Sequence, residues 1–488
     1  MSARHRAEPV RRTRLHRRRG RVALIASVVV LILAGAAGAL IVSGRGGSPA
    51  ASPTPKAIGT TPETPEAAPD ATGPPDAHLT IGYGGDVLMH TSVMGDTENG
   101  QGDIAPLTSA ADPWTGGADL ALCGMEVPIS PTGVASGYPA FGTLPGVVTA
   151  LADTGWDGCA TASNHAWDQG LDGVIATADT LQAADLGWSG TNRTQAEAEA
   201  PYQIYELTRA GRTVRVAQLS STYGLNGSTA DPSWSVNIND VEWAAQQARA
   251  AREAGADIIV LHSQIGEEYT PDPVAAQTEY ARAIAATGEI DVLFGAHPHV
   301  PQSSDLLDGG PDGAGMWVSY SAGNFISNQS IDQGTVLAGV GTFVWVDVTV
   351  DQGADGADDA HVDSLHWHPF TVDNDGGHRL IDLAAARAGD VPAGCTLSAE
   401  EISERWRAVT TNLGMETYSR HDRARAGRPA ARLRTRAEKR RPVGRRAGGA
   451  TTNAGELPGG AATRQAPGVL TGVRRILPGA DVLPRLPD

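Results

Sequence analysis

The stretch HLTIGYGGDVLMH, residues 78–90, decides the fold class because an apolar run ends there in a glycine turn followed by a carboxylate. Apolar runs bounded by glycine, proline or asparagine are typical of buried strands. ADLAL, ADIIVL and IDVLF lead into polar residues in the same way further along the chain. Ligands bind beyond the carboxyl ends of strands in open α/β sheets. We therefore expect these four strands to deliver their polar residues to one edge. Five polar segments recur in this part of the chain, most of them after such strands: GGDVLMH (84–90), LCGMEV (122–127), ASNHAWDQG (162–170), LHSQIGEEY (261–269) and GAHPHV (295–300).

Strand-like and helical runs alternate from His78 onwards, which predicts an α/β fold with at least partly parallel strand pairing. The clearest helix is 240–254, since Asp240 can cap its start and Gly255 can end it. Two later stretches, 341–350 and 364–372, alternate apolar and polar residues and predict antiparallel closure of a second sheet. The other predicted strands are 79–83, 119–123, 157–161, 213–219, 258–262, 291–294 and 316–320, and the other clear helices are 172–185 and 273–287.

The net charge of −17 hides three regions of different charge. Residues 1–21 carry nine arginines and one glutamate, and residues 420–488 carry sixteen basic and five acidic residues. The body between them, residues 22–419, keeps 13 basic against 49 acidic residues, a net charge of −36. Nucleic-acid binding depends on lysine and arginine neutralising phosphates, so this body argues against a nucleic-acid partner. It would also repel other polyanions unless metal ions or the basic tail intervene, although an acidic surface serves solubility as well.

Residues 22–42 (VALIASVVVLILAGAAGALIV) are uncharged and mostly apolar. At 1.5 Å per residue they reach about 30 Å, enough to cross a bilayer. Arginines precede the run, which predicts a single-pass anchor in the cell membrane, with residues 1–21 in the cytoplasm and the main domain outside the cell. A cleaved signal peptide is the alternative because Ala37-Gly38-Ala39 resembles a cleavage site. We favour the anchor, since a signal peptide has an apolar region of only about 7 to 15 residues.

The segments on either side of the main domain, 78–415, are poor in large apolar side chains. Residues 43–77 contain eight prolines and predict a linker or stalk, which would reach roughly 100 Å if extended. Residues 416–488 turn to Arg, Gly, Ala and Pro, with no apolar period, and predict a disordered basic tail. Such a tail could bind an anionic envelope polymer or simply remain solvated.

Three cysteines, Cys123, Cys159 and Cys395, lie in the part predicted to be exported. A disulfide is permitted outside the cytoplasm, but three is an odd number and pairing cannot be deduced from sequence. Because Cys123 and Cys159 fall in or beside predicted strands, we interpret them as buried inert thiols.

The five segments together contain the ligand types of a divalent metal site. Two ions need a bridging carboxylate to hold them about 4 Å apart, and imidazole and carboxylate ligands suit Zn, Mn or Fe. A lone histidine or an Asn-His turn is more often structural than ligating, but five such segments in order favour a metal site. The candidate ligands are Asp86, Glu126, Asn164, His262, His297 and His299, with His90 and His165 beside them.

The chain resembles the capsule synthesis protein CapA family of poly-γ-glutamate biosynthesis. The resemblance is carried by GDVLMH, GMEV, SNHAWDQG, HSQIGEEY, GAHPHV and SAGNFISNQ (321–329), and it covers about residues 79–330. That family is related to the calcineurin-like metallophosphoesterases. The resemblance therefore implies an α/β fold of the αββα type, two mixed β-sheets flanked by helices, with two bound divalent ions.

The metallophosphoesterase pattern also implies a role for each matched residue. Asp86 would bind the first ion, Glu126 would replace the bridging aspartate, and Asn164 and His262 would bind the second ion. His297 and His299 would divide between the ions, and His165 would protonate the leaving oxygen as general acid. Asp168, Asn324 and Gln329 match further segments of the family, and Asp168 and Asn324 have either a site-facing role or a turn or capping role. His366 and His368 are interpreted as structural, while Tyr269 and Trp167 are either pocket-lining or packing residues.

Four departures from the pattern weaken the inference of catalysis more than that of fold. The usual Asp-x-His is Asp86-x-x-x-His90 here, so His90 can miss the metal. Gly124 stands where asparagine is usual, and Glu126 is longer than the bridging aspartate. The His262 segment has two extra residues before Glu268-Tyr269.

Three functions follow as hypotheses. The first is a membrane-anchored extracytoplasmic protein of capsule or cell-wall polymer biosynthesis, with a metal-dependent phosphoesterase site and the capsule synthesis machinery as partner. The second is a secreted phosphatase or phosphodiesterase that acts on envelope phosphoesters. The third is a non-catalytic module whose metal ions bind an anionic polymer.

Overall fold

The computed structural model describes residues 74–353, 358–419 and 432–434. All of them lie in the compact unit Ala71–Asp488; the other unit, Met1–Asp70, lies outside the described residues. The strands are β1 (Ala77–Val87), β2 (Leu120–Met125), β3 (Gly158–Ala160), β4 (Gly187–Ser189), β5 (Gln203–Arg209), β6 (Arg212–Thr222), β7 (Ile258–Gln264), β8 (Val292–Ala296), β9 (Pro301–Leu307), β10 (Met316–Ala322), β11 (Asn324–Ile326), β12 (Val340–Gln352), β13 (Asp358–Asp373), β14 (Arg379–Asp382) and β15 (Arg432–Arg434). The helices are α1 (Thr91–Asp96), α2 (Ala105–Thr108), α3 (Asp112–Thr115), α4 (Gly146–Asp153), α5 (Gly170–Ala183), α6 (Gln195–Ala198), α7 (Val241–Glu253), α8 (Ala275–Ala286), α9 (Leu383–Arg387) and α10 (Ala399–Leu413).

The strands form two mixed sheets. The first sheet has the order β14-β13-β12-β1-β2-β3-β4, with β11 also paired to β1. The second sheet has the order β15-β5-β6-β7-β8-β10-β9. Strands β1 to β4 run parallel, as do β6, β7, β8 and β10, while the outer strands are antiparallel. The predicted α/β architecture of two mixed sheets flanked by helices is confirmed.

Alternating side chains in the central strands fill three apolar layers. In β2, Leu120 and Leu122 pack between the sheets, whereas Ala121 and Cys123 face the outer layer that contains α4 and α5 side chains. The same period in β7 divides that strand between the inter-sheet layer and the layer under α7 and α8. Burying one such aliphatic side chain stabilises the fold by about 1.5 to 3 kcal/mol. Both central strands are therefore buried on two faces, which explains their continuous apolar runs.

Helix α7 begins where the sequence predicts. The side chain of Asp240 accepts a hydrogen bond from the Trp243 N–H, which satisfies one of the free amide groups of the first turn. The helix ends at Glu253, and Gly255 follows with a φ of 93°. A glycine adopts this left-handed conformation without the steric cost that a Cβ would add.

The antiparallel strands near residues 341–350 and 364–372 belong to a different sheet from the one predicted. They lie in β12 and β13, and β12 pairs with β1 itself, so that Leu79 lies opposite Val348. The predicted antiparallel pairing of these two strands is confirmed, but their placement in a second sheet, apart from β1, is wrong, because their apolar faces extend the inter-sheet layer from the first sheet. Alternation along a strand shows that one face is buried, but it does not show which neighbour the strand pairs with.

Cys123 and Cys159 form a disulfide, which corrects their interpretation as free thiols. Both residues are fully buried, as expected. They lie directly opposite each other on the parallel strands β2 and β3, where their Cα atoms are 4.4 Å apart. Among the described residues Cys395 is the free cysteine. Strand register, which the sequence pattern does not specify, decides the pairing.

The predicted segments at the two ends lie largely outside the described residues. This holds for residues 1–21, the predicted anchor 22–42, the linker up to residue 73 and most of 416–488. Within the described part of the chain, no helix has the length and apolar character needed to span a bilayer. One short piece of the predicted tail has an ordered partner, since β15 pairs antiparallel with β5.

The disulfide should contribute measurably to stability. It closes a separation of 36 residues, so replacing both cysteines by alanine should lower the free energy of unfolding by about 3 to 4 kcal/mol. Urea unfolding of the full chain measures this loss, and Cys395→Ala is the matched control with little expected effect. Alkylation of all three cysteines in the unreduced protein would contradict the pairing.

Candidate metal centre

The carboxyl ends of β1 and β7 meet at Asp86, which links the two sheets. Its Oδ1 accepts a hydrogen bond of 3.0 Å from Gln264 Nε2 at the end of β7. Its Oδ2 accepts a bond of 3.3 Å from the His297 backbone N–H, just after β8. Within the first sheet Asp86 lies opposite Gly124 of β2 and Asn324 of β11. Segments that are distant in sequence therefore converge around one fully buried carboxylate.

Asp86, Glu126 and His299 form the inner group of candidate ligands. One potential ligand atom from each lies within 4.8 Å of the others, and all three residues are buried. His299 Nε2 is 3.5 Å from Glu126 Oε1, and His299 Nδ1 is 3.8 Å from Asp86 Oδ2. Two carboxylates and an imidazole are donors that suit Zn, Mn or Fe.

Asn324 orients His299. Its Nδ2 donates to Gln329 Oε1 at 2.7 Å, which turns its Oδ1 towards His299 Nδ1 at 2.9 Å. A carbonyl oxygen only accepts, so the proton of the imidazole lies on Nδ1 and the lone pair of Nε2 is free to bind a cation. Asn324, for which site-facing and turn roles were both open, thus contacts the candidate ligand His299, and Gln329 holds the Asn324 amide in place.

Several buried polar atoms around this group have no hydrogen-bond partner among the described residues. A buried polar atom without a hydrogen-bond partner destabilises the fold by about 1 to 3 kcal/mol, so several such atoms in one place indicate a ligand-binding site. His262 adds both ring nitrogens, 3 % exposed, and lies beside a small cavity that Glu126 and Tyr83 also line. The atoms are Glu126 Oε1 and Oε2, Asn164 Oδ1, His262 Nδ1 and Nε2, Gln264 Oε1 and His297 Nδ1. These residues fit a divalent cation site.

Burial sets the protonation of the candidate ligands. It lowers the pKa of His262 to about 3, of His297 to about 4 and of His299 to about 3, so the imidazoles are neutral at pH 7 and keep a lone pair. Burial also raises the pKa of Asp86 to about 7 and that of Glu126 well above its usual range. A bound cation would reverse the effect on the two carboxyl groups, because it favours their charged form.

The backbone of the AHPH turn is held in an unusual conformation. His297 and His299 have φ angles of 96° and 57°, where residues with a Cβ are uncommon. Such conformations cost about 1 to 3 kcal/mol each and persist only where surrounding contacts hold them. The Asp86 carboxylate holds His297 through its N–H, and the Tyr269 N–H donates to the Pro298 carbonyl at 2.8 Å. Both histidines are thereby directed to one place.

His165 and Asp168 form a hydrogen-bonded pair next to this group. Asp168 Oδ2 lies 2.7 Å from His165 Nδ1 and also accepts the Phe141 N–H at 2.7 Å. Because a carboxylate only accepts, it places the proton of the neutral imidazole on Nδ1 and leaves the lone pair on Nε2. The Asn226 amide lies 3.5 Å from both ring nitrogens and 3.2 Å from Asn164. The Asp168 carboxylate therefore contacts the His165 ring as well as the backbone at Phe141.

His90 belongs to neither group of candidate ligands that the described residues form. Its Nδ1 lies 3.2 Å from the Leu88 carbonyl and accepts the Asn328 N–H at 3.2 Å. The Asp-x-x-x-His spacing carries this residue past the strand end to the start of α1. The doubt that its spacing raised is consistent with this placement.

His366 and His368 pair with carboxylates of the first sheet. His366 Nε2 lies 3.2 Å from Asp347, and His368 Nε2 lies 3.0 Å from Asp382. These contacts agree with their structural interpretation. Trp167 packs in a small apolar cluster, whereas the Tyr269 hydroxyl accepts a hydrogen bond from Gln329 next to the site.

Gly124 leaves room for a tyrosine hydroxyl. A Cβ at this position would lie 2.7 Å from Tyr83 Oη and 2.8 Å from Asp86 Oδ1. Tyr83 hydrogen-bonds Asp86, a contact that lowers the carboxyl pKa against the stronger effect of burial. Gly124, which stands where the family usually has asparagine, therefore leaves space in which the Tyr83 hydroxyl of β1 contacts Asp86.

Four further residues, not predicted from the sequence, lie next to the candidate ligands: Gln264, Asn226, Tyr83 and Glu268. Gln264 and Glu268 stand in the quoted segment LHSQIGEEY, so their position was a signal that the ligand pattern did not use. Glu268 forms a second candidate group with His297 and His299. Tyr83 precedes its segment by one residue, and Asn226 lies in a loop with no apolar run before it, so nothing in the pattern marked them.

Glu126→Gln should stabilise the metal-free protein. The carboxyl group of Glu126 is buried and has no hydrogen-bond partner among the described residues. Burial raises its pKa in the folded protein, so at any pH above the pKa of glutamate in the unfolded chain this group destabilises the fold. We expect the unfolding free energy at pH 7.5 to rise by about 1 to 3 kcal/mol, and the gain to vanish near pH 4. Urea unfolding of the metal-free full chain at the two pH values measures it.

The control for that variant is Asp119→Asn. This carboxylate is also buried, but it accepts hydrogen bonds from the Thr80 N–H at 2.9 Å and from Arg209 Nε at 2.6 Å. Its replacement should destabilise the protein. If Glu126→Gln destabilised the protein as much as Asp119→Asn does, the Glu126 carboxylate would be stabilised by the protein itself and would need no cation.

Metal binding should release protons and strengthen as pH rises from about 6 to 8. The raised pKa values of Asp86 and Glu126 mean that these carboxyl groups hold protons which a cation must displace. The neutral histidines each have a nitrogen with a free lone pair, so they need not release a proton when they bind the cation. Calorimetric titration with Mn²⁺ in two buffers of different ionisation enthalpy counts the released protons. An affinity independent of pH would contradict this assignment.

Comparison with known proteins identifies the family. The model of the family described as bacterial capsule synthesis protein PGA_cap matches residues 80–329, just over half of the 488 residues. The capsule biosynthesis protein CapA of Bacillus anthracis is 29% identical over 187 residues, which are 37% of this chain and 43% of that protein. The PGA biosynthesis protein CapA of Bacillus subtilis (strain 168) is 28% identical over 184 residues, 37% of this chain and 45% of that protein. The match thus spans less than half of each relative.

Solved structures show more distant similarity. The calcineurin-like phosphoesterase YfkN from Bacillus subtilis is 17% identical, with a TM-score of 0.37, over 69% of this chain and 98% of that one. The NAD nucleotidase NadN of Haemophilus influenzae is 15% identical, with a TM-score of 0.36, over 71% of this chain and 57% of that one. The matched residues 80–329 contain all five segments, and the chain belongs to the PGA_cap family of bacterial capsule synthesis proteins.

Proposed function

We propose that this protein hydrolyses a phosphoester in the cell envelope, in a metal-dependent reaction that serves capsule or cell-wall polymer biosynthesis. The observation that carries the proposal is the His165–Asp168 pair beside a set of buried donor atoms without protein partners. A ligand set alone could hold a structural ion. A histidine oriented by a carboxylate adds a group that can transfer a proton, which a structural ion does not need.

The donor atoms fall into two sets by position, one for each proposed ion. Asp86, Glu126 and His299 would hold one ion, and Asn164, His262 and His297 would surround a second. Divalent ions held there would supply electrophilic stabilisation of the charge that develops on a phosphoryl group. His165 would donate the proton that the leaving oxygen needs, through Nε2. Asp168 would stabilise the protonated imidazole and keep its orientation.

The acidity of the body restricts how a polyanion could approach. Residues 22–419 carry a net charge of −36, so an anionic polymer or phosphoester would be repelled without bound cations. Metal ions in the site would provide local positive charge where the chemistry occurs. An envelope polymer under construction, or a phosphoester attached to it, is therefore our proposed substrate, and the capsule synthesis machinery our proposed partner.

The predicted anchor and stalk would place the site outside the membrane. Residues 22–42 would cross the bilayer and residues 43–77 would carry the domain away from it, while residues 1–21 would stay in the cytoplasm. The Cys123–Cys159 disulfide supports an exported domain, because such bonds persist in oxidising compartments and are rare in the cytoplasm. The curated relatives are capsule biosynthesis proteins by name, which agrees with an envelope role.

A phosphoester screen of the full chain tests the activity. With Mn²⁺ we expect hydrolysis of an aryl phosphate mono- or diester, loss of about a hundredfold or more in His165→Ala, and a smaller loss in Asp168→Asn. His361→Ala is the matched control, since His361 is an exposed histidine paired with Asp363. Metal content, measured in parallel, should be unchanged in His165→Ala.

Two outcomes would contradict the proposal. Inactivity on every ester and with every metal tried, combined with chelator-sensitive binding of an anionic polymer, would favour the non-catalytic module. Activity that is equal in His165→Ala and in wild type would remove the histidine from the reaction.

A further inference from the structure

Glu268 lies in a loop that is docked onto the AHPH turn. The Ile265 N–H donates to the Ala296 carbonyl at 3.1 Å, and the Tyr269 N–H donates to the Pro298 carbonyl at 2.8 Å. Gly266 is so close to the turn that a Cβ there would lie 2.9 Å from Pro298 Cγ. These contacts lie on both sides of Glu268. The position of Glu268 over the two histidines is therefore set by backbone contacts and not only by its own flexible side chain.

The carboxylate of Glu268 faces the same histidines as the buried ligands. One of its oxygens and one nitrogen each from His297 and His299 lie within 4.8 Å of one another. His297 is 4 % exposed, and its Nδ1 has no hydrogen-bond partner among the described residues. Glu268 itself is exposed, so it closes the group from the solvent side.

The inner group lacks the ligand that an Asp-x-His strand end would supply. Asp86, Glu126 and His299 offer three donors, and a divalent ion takes four or more ligands in all, so this group leaves room for a further ligand. His90 does not join them, and its Nδ1 accepts a hydrogen bond from the loop at Asn328. Glu268 is the further acidic residue that shares His299 with this group.

We propose that Glu268 is a metal ligand, at the solvent side of the centre, in place of the histidine that the first strand does not supply. The loop that carries the two extra residues after His262 holds this carboxylate next to His297 and His299. This inference rests on the proposed metal centre and adds to it a residue from the LHSQIGEEY segment.

Metal binding by the full chain tests the proposal with a matched pair of variants. Glu267→Gln and Glu268→Gln each remove one exposed carboxylate from neighbouring positions. Glu268→Gln should weaken Mn²⁺ binding about tenfold or more, or lower by one the number of ions retained after dialysis. Glu267→Gln should bind as wild type does. Calorimetric titration and elemental analysis give both quantities without any assay of activity.

A second pair of variants separates ligation from simple loss of charge. A thiolate binds soft metal ions directly, so Glu268→Cys loaded with Cd²⁺ should show the ultraviolet absorption of a cadmium–thiolate bond. Glu267→Cys should show none, although it places a cysteine one residue away. Cys395 is present in both proteins and cancels in the comparison.

The results distinguish this inference from the function on which it rests. If wild type binds Mn²⁺, and Glu268→Gln binds it as tightly as Glu267→Gln does, Glu268 is not a ligand and the proposed function is unaffected. If wild type binds no divalent ion, and Asp86→Asn changes nothing, both proposals fail. Weakened binding in Glu268→Gln together with cadmium–thiolate absorption in Glu268→Cys supports the ligand.

Discussion

The Asp86 carboxylate is the contact on which the arrangement of the site depends. It stands at the end of β1 in the first sheet and accepts hydrogen bonds from Gln264 and His297 of the second. Its burial is complete, and a buried charge is costly unless it is paired or bound to a cation. Both of its oxygens accept hydrogen bonds, whereas the two oxygens of the neighbouring Glu126 have no hydrogen-bond partner among the described residues. Asp86 thus positions the AHPH turn beside the other candidate ligands of a divalent cation.

The site is maintained at the expense of stability. Glu126 and His262 are buried with no hydrogen bond from the described residues, and His297 and His299 adopt left-handed backbone conformations. Each of these features costs on the order of 1 to 3 kcal/mol in the absence of a ligand. The three apolar layers and the Cys123–Cys159 disulfide offset that expense. Such local exceptions to good packing are expected at functional sites.

The segments that agreed with the sequence analysis are those in which local pattern and global fold coincide. β2 and β7 are buried on both faces, so they read as apolar runs whose ends face the site. Helix α7 carries its own capping residue, Asp240, and its own stop at Gly255. The errors have a common physical origin. Which sheet β12 joins, whether Cys123 meets Cys159, and whether Glu268 reaches His297 all depend on how distant segments are placed beside one another.

The sequence by itself determined the fold class, the family and the candidate ligands, because strands, turns and metal-type residues leave local and ordered signals. The tertiary structure decided the roles that depend on distance. In the folded protein Asn324 contacts His299, and Asp168 contacts His165. His90 contacts the loop at Asn328, and Glu268 lies close to His297 and His299. The physical reason is that the geometry of the ligands depends on strand register and on loop docking between segments far apart in the chain. The spacing of residues within one segment predicts neither of these.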